Sequence, residues 1–282
     1  MGILYVVATP IGNLGDISKR ALEVLRDVDI ILCEDTRHSL ILLNHYEIKN
    51  KLISYHKFNE KERSSMIIDD LKNGKNIAII TDAGTPCVSD PGYILIRDAK
   101  NNGIEVIGVG GISACITALS VSGIDSSSFS FYGFFPRENK DKEKLMDDII
   151  KSNIKTYIFY ESPKRIIKTL EYIYLKLGNV LISVSSDLTK VHEKNYYGKI
   201  DKVISELKNN DNSSLGEYTF IIEKELVKED EINLSIEALL IDEVIKNNIS
   251  LKDAIDIVNK NNSNLSKKDI YNASLNLKNI LK

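Results

Sequence analysis

Short apolar runs rich in β-branched residues alternate with segments of helical spacing over the first part of this chain. We predict strands at 3–8, 28–33, 52–55, 77–80 and 106–109. We predict helices between and after them at 18–26, 36–46, 60–73, 93–102 and 113–121. Such alternation is typical of βαβ units, which pair parallel strands through crossover helices. The pattern therefore predicts an α/β fold with a mostly parallel sheet that helices cover on both faces.

The segment SGIDSSS, residues 122–128, interrupts this alternation with small polar residues and is typical of a linker. A second α/β pattern follows it. The predicted strands of this second pattern lie at 129–133, 156–160, 180–184, 194–198 and 218–222, and its predicted helices lie at 142–151, 164–177 and 201–208.

The strand pattern ends after the charged stretch 224–231. Three later segments have helical spacing and predict three short helices, at 236–247, 251–259 and 267–281. The sequence therefore predicts α/β domains at 1–122 and 128–226 and a small helical extension at 232–282.

Composition excludes several classes of protein. A chain of 282 residues with 43% hydrophobic residues suits a globular protein of about two domains. It contains no apolar run near the roughly 20 residues that span a bilayer, so we expect no membrane segment. The cysteines, Cys33, Cys87 and Cys115, have no CxxC spacing, and the four histidines have no paired-ligand spacing. We therefore expect a cytoplasmic protein without disulfides or a bound metal.

The charge distribution leaves nucleic-acid binding open. A formal net charge of −3 argues against indiscriminate binding to bare nucleic acid. The segment 251–282, however, carries six lysines against three aspartates. These lysines form either a locally basic binding face or ordinary solvated helix faces.

The stretch TDAGTPCVSDPG, residues 81–92, follows a predicted strand and is dense in glycine, proline and small polar residues. Ligands of open parallel sheets bind beyond the carboxyl ends of the strands, where such loops lie. Gly84 permits close approach of a ligand to the backbone, and Pro86 restricts the loop. The same residue types also dominate ordinary turns, so a plain connection between strand and helix stays open.

Three other strand ends carry polar or glycine-rich segments. TPIGNLGD at 9–16 has two glycines in GxxG spacing, which makes a dinucleotide site unconvincing. CEDTRHS at 33–39 places Asp35 and Arg37 at a strand end, where Arg37 suits phosphate positioning and Asp35 suits either chemistry or helix capping. GVGGISAC at 108–115 offers Ser113 and a helix N-terminus to a carboxylate or hydroxyl.

The motifs ATPIGN, CEDTR, DAGTPCVSDPG, ITALSVSG, FYGFFPR, FYESPKR, LTKVHE and GEYTF occur in this order along the chain. In this order they closely resemble the tetrapyrrole-methylase superfamily, and within it the bacterial enzymes that methylate 16S ribosomal RNA. The resemblance implies two α/β domains with S-adenosylmethionine in the cleft between them, and a homodimer. It also implies methyl transfer to the ribose 2′-hydroxyl of a decoding-centre cytidine, with 16S ribosomal RNA within the small ribosomal subunit as the expected partner. The terminal KKDIYNASLNLK resembles the helix-turn-helix extension of that branch.

The resemblance also assigns residues to the cofactor site. Its motifs imply that the cofactor is bound by Pro10, Asp82, Gly84, Thr85, Pro86, Ser113, Ala114, Tyr160 and Leu188. The chain departs from the family pattern at Gly108, where proline is usual, at Lys164, where histidine is common, and at Ser186, where arginine is expected.

Four residues are candidates for catalysis. The methyl group of a sulfonium is already electrophilic, so the protein chiefly has to align the attacking oxygen with it. A base or a cation beside that oxygen would add typically 10²-fold or more. We consider Asp35 and Glu161 as proton acceptors, Lys190 as an oxyanion stabiliser or neutral base, and Arg37 as a phosphate clamp.

Two other functions fit the sequence. One is methylation of a small molecule such as a tetrapyrrole with the same fold and cofactor, which fold alone does not exclude. The other is a non-catalytic RNA-binding module, which the helical extension and the departure at Ser186 favour.

Overall fold

The computed structural model describes residues 1–225, 235–261 and 265–280. The chain forms two compact units, Met1–Glu225 and Leu226–Lys282. Residues 226–231 of the charged stretch predicted to separate the parts, the start of the predicted extension at 232 and the last predicted helical residue, Leu281, fall outside the described residues.

The first sheet is entirely parallel, as the alternation predicts. Its strands are β1 (Ile3–Val7), β2 (Ile30–Cys33), β3 (Lys51–Ser54), β4 (Ile77–Ile79) and β5 (Glu105–Val109). The strand order is β3-β2-β4-β1-β5, so every connection is a helical crossover. The helices are α1 (Lys19–Asp27), α2 (Thr36–His45), α3 (Glu60–Lys72), α4 (Tyr93–Asn101) and α5 (Ala114–Val121). A short 3₁₀ helix, Leu14–Asp16, precedes α1 and was not predicted.

The first sheet is buried on both faces. One hydrophobic cluster forms around Leu4, Ile79 and Leu95, and another around Val7, Leu25 and Ile31. Strand β2 is buried at all four positions, which explains why its sequence is a continuous apolar run and does not alternate.

The second sheet is mixed, a feature that the sequence did not predict. Its strands are β6 (Phe129–Phe134), β7 (Thr156–Glu161), β8 (Leu181–Ser186), β9 (Lys194–Lys199) and β10 (Tyr218–Glu223). The order is β6-β7-β10-β8-β9, with only β6 and β7 parallel. The helices are α6 (Asn139–Lys151), α7 (Ile166–Leu177) and α8 (Ile200–Lys208).

The two sheets share part of their cores. A hydrophobic cluster joins Ile11 and Cys115 from the first half to Ile158, Leu188 and Ile221 from the second. Through this cluster, α5 packs against β7 and β10. The loops at the carboxyl ends of β1, β4 and β5 thus lie beside the second sheet.

Lys224, immediately after β10, is buried in spite of its charge. Its ammonium donates hydrogen bonds to three carbonyls at the end of α6, those of Ile149, Ile150 and Ser152, at 2.7, 3.0 and 2.5 Å. Carbonyls at a helix C-terminus have few partners within the helix and carry the negative end of its dipole, so the cation stabilises the helix terminus. Burial lowers the pKa of Lys224.

The second unit contains α9 (Ile236–Asn247), α10 (Leu251–Asn261) and α11 (Lys267–Ile280). These helices surround a small core of their own, formed by Leu240, Ala254, Val258, Ile270, Ala273 and Leu277. Ser250 and Ser266 cap the second and third helices, each accepting a hydrogen bond from the amide three residues later and donating to that residue's carboxylate. None of the helices that the structure describes is long and apolar enough to cross a membrane.

Candidate active site

The loop after β4 is fastened to the loop after β1. Thr9 and Gly84 form an isolated antiparallel bridge with N–H···O distances of 2.8 and 3.1 Å. The Thr9 hydroxyl also donates to the carbonyl of Thr81 at 3.0 Å. Gly84 has φ +89°, a left-handed conformation that a side chain would strain. The backbone path therefore requires glycine at position 84.

Two other residues of the β4 loop, Cys87 and Ser89, have left-handed backbone without being glycine, with φ of 70° and 69°. Such conformations cost about 1–3 kcal/mol each and persist where surrounding contacts enforce them. Ser89 Oγ lies against Gly133 of β6. A Cβ added at Gly133 would be only 2.5 Å from this oxygen, so a side chain there would clash with it. The second sheet thus helps to fix the conformation of a loop that belongs to the first.

These loops line a cavity of about 370 Å³, which we call the first cavity. Seven residues singled out from the sequence lie in its wall: Asp82, Gly84, Thr85, Ser113, Ala114, Tyr160 and Glu161. The Tyr160 hydroxyl accepts a hydrogen bond from the Cys115 amide, at the N-terminus of α5, at 3.2 Å. Burial raises the pKa of Tyr160 to about 12, so its hydroxyl stays neutral.

Three residues of the predicted cofactor set are not in this wall. Pro10 lines a second cavity. Pro86 is buried within the β4 loop. Leu188 is 6% exposed and belongs to the hydrophobic cluster against which Tyr160 packs. Pro86 and Leu188 therefore support the wall from behind.

The first cavity has an acidic side that the sequence analysis did not recognise. Asp90 lies in its wall beside Asp82. Burial, assisted by the carboxylates of Glu34 and Asp82, raises the pKa of Asp90 to about 6. Burial and the charge of Asp82 also raise the pKa of Glu34. Carboxylates held so closely together favour a cationic ligand, because a cation relieves their repulsion.

Glu161, considered above as a proton acceptor, is 2% exposed and surrounded by donors. It accepts hydrogen bonds from the Ser162 amide at 2.7 Å and the Thr169 hydroxyl at 2.6 Å. The Arg165 guanidinium lies 3.2 Å away and also donates to the Phe135 and Pro136 carbonyls at 3.0 and 2.7 Å. This geometry gives Glu161 a structural role, because it joins the loop after β7 to the loop after β6.

Asp35 is the N-cap of α2 and is also paired with Arg37. Its carboxylate accepts from the Arg37 amide at 2.8 Å and from the guanidinium at 3.1 and 2.7 Å. These bonds lower the pKa of Asp35 to about 2, which makes it a poor proton acceptor. The Arg37 side chain is 88% exposed, so its charge remains accessible from solvent. Of the two roles considered from the sequence, Asp35 therefore takes that of the helix cap, and its pairing with Arg37 disfavours the other, proton acceptance.

A second cavity of about 380 Å³ adjoins the first. Ile11, Asp82, Ala83 and Glu217 line both cavities and so form the boundary between them. The second cavity is also lined by residues that do not line the first, among them Pro10, Gly12, His38 and Lys190. Glu217 lies in the GEYTF motif, whose sequence predicts no role for this residue.

Lys190 is held at the edge of this second cavity by two carboxylates. Its ammonium lies 3.0 Å from Asp187 and 3.0 Å from Glu217. Partial burial lowers the pKa of Lys190, but hydrogen bonds and charge from Glu217 and Asp187 outweigh that effect and raise it. The amine is therefore a cation at neutral pH. This argues against the neutral base considered above and leaves the oxyanion stabiliser.

The segment that carries Lys190 has an unusual backbone. Asp187 and Thr189 are left-handed, with φ of 51° and 67°. A Cβ at Gly216 would lie 2.1 Å from an Asp187 carboxylate oxygen, and a Cβ at Gly12 would lie 2.5 Å from Lys190 Cγ. Two glycines far apart in sequence thus leave the space in which Lys190 and its partner are held.

The structure shows the surroundings of the three residues that depart from the family pattern. Gly108 has no atom within 4 Å of the position of an added Cβ among the described residues, so nothing there demands glycine. Ser186 is buried at the end of β8, and Lys164 is exposed beside Pro163 of the first cavity.

The fold agrees with comparisons between this chain and known proteins. The chain belongs to the tetrapyrrole (corrin/porphyrin) methylase family, whose model matches residues 3–204.

Within that family, the chain is similar to bacterial proteins named ribosomal RNA small subunit methyltransferase I. It is 42% identical to the one from Haemophilus influenzae over 258 residues, or 91% of each chain. It is 39% identical to the one from Halalkalibacterium halodurans, covering 96% of this chain and 94% of the relative. It is 43% identical to the one from Thermotoga maritima, where the match covers 98% of the relative but 79% of this chain.

Two solved structures share the fold. The crystal structure of diphthine synthase matches with a TM-score of 0.63 and 12% identity, over 80% of this chain and 91% of the other. The uroporphyrin-III-C-methyltransferase from Thermus thermophilus matches with a TM-score of 0.55 and 15% identity, over 79% and 95%. At these identities the likeness shows the fold alone.

Proposed function

We propose that this protein transfers a methyl group from S-adenosylmethionine to the ribose 2′-hydroxyl of a decoding-centre cytidine in 16S ribosomal RNA. The observation that carries the proposal is the pair of adjoining cavities, one acidic and lined by six of the nine predicted cofactor residues, the other holding the Lys190 cation. Membership of a methylase family supports methyl transfer. The names of the relatives support ribosomal RNA as the acceptor.

The first cavity suits S-adenosylmethionine in size and charge. Its volume of about 370 Å³ lies within the usual range for a small-molecule site. Asp82 and Asp90 offer negative charge to the ligand's amine and sulfonium, and Ser113 at the start of α5 offers donors to its carboxylate. When bound, this cofactor supplies an electrophilic methyl group.

The second cavity is the proposed acceptor site. Lys190 stabilises the negative charge that develops on the ribose oxygen, and Asp187 and Glu217 hold the ammonium in place. Glu217 lines both cavities, so we assign it the proton that leaves this oxygen. Arg37 binds a neighbouring phosphate, and Asp35 orients Arg37 through its two hydrogen bonds with the guanidinium.

A transfer assay tests the proposal. The full chain is incubated with methyl-labelled S-adenosylmethionine and either undermethylated small ribosomal subunits, free 16S RNA or a tetrapyrrole precursor. Label in the subunit RNA at a ribose 2′-oxygen is the expected result. Label in the precursor alone would establish small-molecule methylation instead, and cofactor binding without label in either substrate would contradict both reactions.

Asp90 gives cofactor binding a pH dependence. With a pKa of about 6, Asp90 is about 90% protonated at pH 5 and almost fully charged at pH 8. We expect affinity for S-adenosylmethionine to fall about tenfold between pH 8 and pH 5, as titration calorimetry would measure. The pKa of Glu34, raised by burial and by the charge of Asp82, contributes to the same trend.

The Asp90→Asn variant is the control for this titration. Its affinity at pH 8 should resemble that of the native protein at pH 5 and change little with pH. At pH 8 the variant should bind the cofactor more weakly than the native protein, but its free energy of unfolding should be higher. Because the raised pKa of Asp90 stabilises the fold below about pH 4 and loses that contribution as pH rises through 6, the variant should be more stable at pH 8. A native affinity that is flat from pH 5 to 8 would remove Asp90 from the site.

Removal of residues 232–282 tests the helical extension. We expect the shortened chain to bind S-adenosylmethionine normally and to bind ribosomal RNA roughly tenfold more weakly, because it loses the tail's lysines. The Thermotoga maritima relative supports a separable tail, since it matches 79% of this chain with 98% of its own length. Unchanged RNA affinity in a filter-binding assay would leave the extension a structural role only.

We also propose a cytoplasmic homodimer that acts on the assembled small subunit without a metal ion. The three cysteines are free thiols, which suits a reducing compartment. The described residues include no group of three or more histidine, cysteine or acidic side chains arranged to hold a metal ion. Sedimentation equilibrium of the purified chain and an assay in chelator would test the dimer and the metal independence.

A further inference from the structure

The second cavity has an apolar wall that the proposed chemistry at the ribose does not explain. Leu14, Ile41 and Leu42 line this cavity together with Lys190. A ribose and a phosphate are polar, so they would not use such a wall. Isolated exposed apolar residues are common on protein surfaces. Three of them in one cavity with a cation indicate a ligand that has an apolar face beside a polar group.

Ile41 lies on a side of α2 that does not form the core. Leu43 of this helix is 1% exposed and packs in the hydrophobic cluster around Val7 and Leu25. Ile41, two residues earlier, is 68% exposed. Residues two apart on a helix point in different directions, so the side chain that fastens α2 to the sheet is not the one that lines the cavity. Ile41 is therefore available to a ligand.

Leu14 is held beside α2 by hydrogen bonds. The hydroxyl of Tyr46, the residue that follows α2, donates to the Leu14 carbonyl at 2.5 Å. The Asn13 side chain caps the short 3₁₀ helix by accepting from the Gly15 amide at 3.0 Å. Leu14 itself is 36% exposed. Because these bonds exist before a ligand binds, formation of the wall costs little conformational entropy.

The Lys190 side chain begins close to this wall. A Cβ added at Gly12 would lie 2.5 Å from Lys190 Cγ, so the lysine crosses the chain only two residues before Leu14. Two residues of chain span at most about 7 Å. This proximity matches a nucleoside, in which the 2′-hydroxyl and the base are attached to adjacent ribose carbons. A site that holds the hydroxyl must then accommodate the base nearby.

The phosphate of the same nucleotide also has a partner on α2. Arg37, proposed above to bind a phosphate, precedes Ile41 by four residues, and residues four apart are neighbours on a helix surface. The Arg37 side chain is 88% exposed. A cation for the phosphate, an apolar surface for the base and a cation for the ribose oxygen thus lie around one cavity of about 380 Å³.

We infer that the base of the target nucleotide leaves the RNA stack and packs against Leu14 and Ile41 in the second cavity. Leu42 extends the same wall. Enzymes that extrude a nucleotide replace part of its lost stacking by contacts with apolar or aromatic side chains. With the base held there, the 2′-hydroxyl is directed toward Lys190, which aligns it for reaction. This inference rests on the proposed function, because it takes an RNA ribose as the acceptor.

The first test compares Ile41→Ala with Leu40→Ala. Leu40 is the preceding residue of α2, is 45% exposed and lines neither of the two cavities, so it is a matched loss of apolar surface. We expect kcat/KM for the small-subunit RNA to fall roughly tenfold for Ile41→Ala and for Leu14→Ala, and to stay native for Leu40→Ala. S-adenosylmethionine affinity should be unchanged in all three, and Ile41→Leu should retain most of the native activity.

A substrate without the target base distinguishes base packing from any other role of Ile41. Small subunits are reconstituted with 16S RNA that carries an abasic ribose at the nucleotide labelled in the transfer assay, so the 2′-hydroxyl remains. On this substrate the native protein and Ile41→Ala should have equal kcat/KM, because the contact that the substitution removes is already missing. A structural role of Ile41, or its contact with another nucleotide, would preserve the tenfold difference.

The native protein separates failure of this inference from failure of the proposed function. If the native protein methylates the RNA and Ile41→Ala matches Leu40→Ala, the inference is overturned while the function stands. A tenfold difference that persists on the abasic substrate, or a loss of cofactor affinity in Ile41→Ala, would also overturn it. A native protein that transfers no label to RNA overturns both.

Discussion

Replacement of Lys190 by alanine should lower the rate of methyl transfer by about 100-fold or more and leave S-adenosylmethionine affinity within about twofold. The ammonium is held by Asp187 and Glu217 at 3.0 Å each, so it is already in place before the oxygen becomes charged. Groups that are fixed in this way contribute typically 10²–10³ to the rate. Single-turnover kinetics with saturating RNA, together with calorimetry of cofactor binding, would measure both effects.

Two further variants sharpen this result. Lys190→Arg keeps the positive charge and should recover part of the lost rate, whereas a neutral base at this position would not be replaced by arginine. Lys202→Ala removes an exposed lysine that pairs with Glu206 on α8, and its activity should equal that of the native protein. A Lys190→Ala variant with native single-turnover kinetics would remove the residue from the mechanism.

Substitution of Gly216 by alanine should lower both stability and activity, although Gly216 itself touches no substrate in the proposed mechanism. Its φ of +83° disfavours any side chain, and the new Cβ would lie 2.1 Å from Asp187 Oδ2. Asp187 must then move away, and Lys190 loses one of its two partners. We expect a loss of about 2–4 kcal/mol and at least a tenfold lower kcat, from thermal unfolding and the transfer assay.

Gly74 provides a matched control for this substitution. It has φ +91°, close to that of Gly216, but no atom of the described residues lies within 4 Å of the position of its added Cβ. Gly74→Ala should therefore show the backbone strain alone, about 1 kcal/mol, with native activity. Equal effects of the two substitutions on kcat would mean that the contact with Asp187 does not position Lys190.

The order and the approximate positions of the helices and strands could be predicted from the sequence because they depend on local periodicity, although limits such as the start of α6, expected at 142 and found at Asn139, could not. Strand β2, for instance, is a continuous apolar run that stands out without any knowledge of its neighbours. The mixed pairing of the second sheet could not be predicted in this way. It depends on β10 lying between β7 and β8, a long-range arrangement that no local pattern encodes.

The features of the candidate site also differ in whether local sequence or long-range contacts determine them. The glycine-rich loop after β4 is visible in the sequence because its residue types are unusual. The raised pKa of Asp90 and the positive charge of Lys190 could not be predicted from the sequence. They depend on burial and on partners distant in sequence, such as Glu217. The role considered for Glu161 changed for the same reason: the Thr169 and Arg165 donors that occupy its carboxylate are evident only once α7 packs beside β7.

The buried ammonium of Lys224 determines where the chain can be cut. It lies just beyond β10, yet the carbonyls that it holds belong to α6, about 70 residues earlier in the chain. A version that ended at Glu223 would retain every strand of both sheets and still leave the end of that helix without its cation. A shortened protein that is meant to fold by itself should therefore end after Lys224, not at the last residue of the sheet.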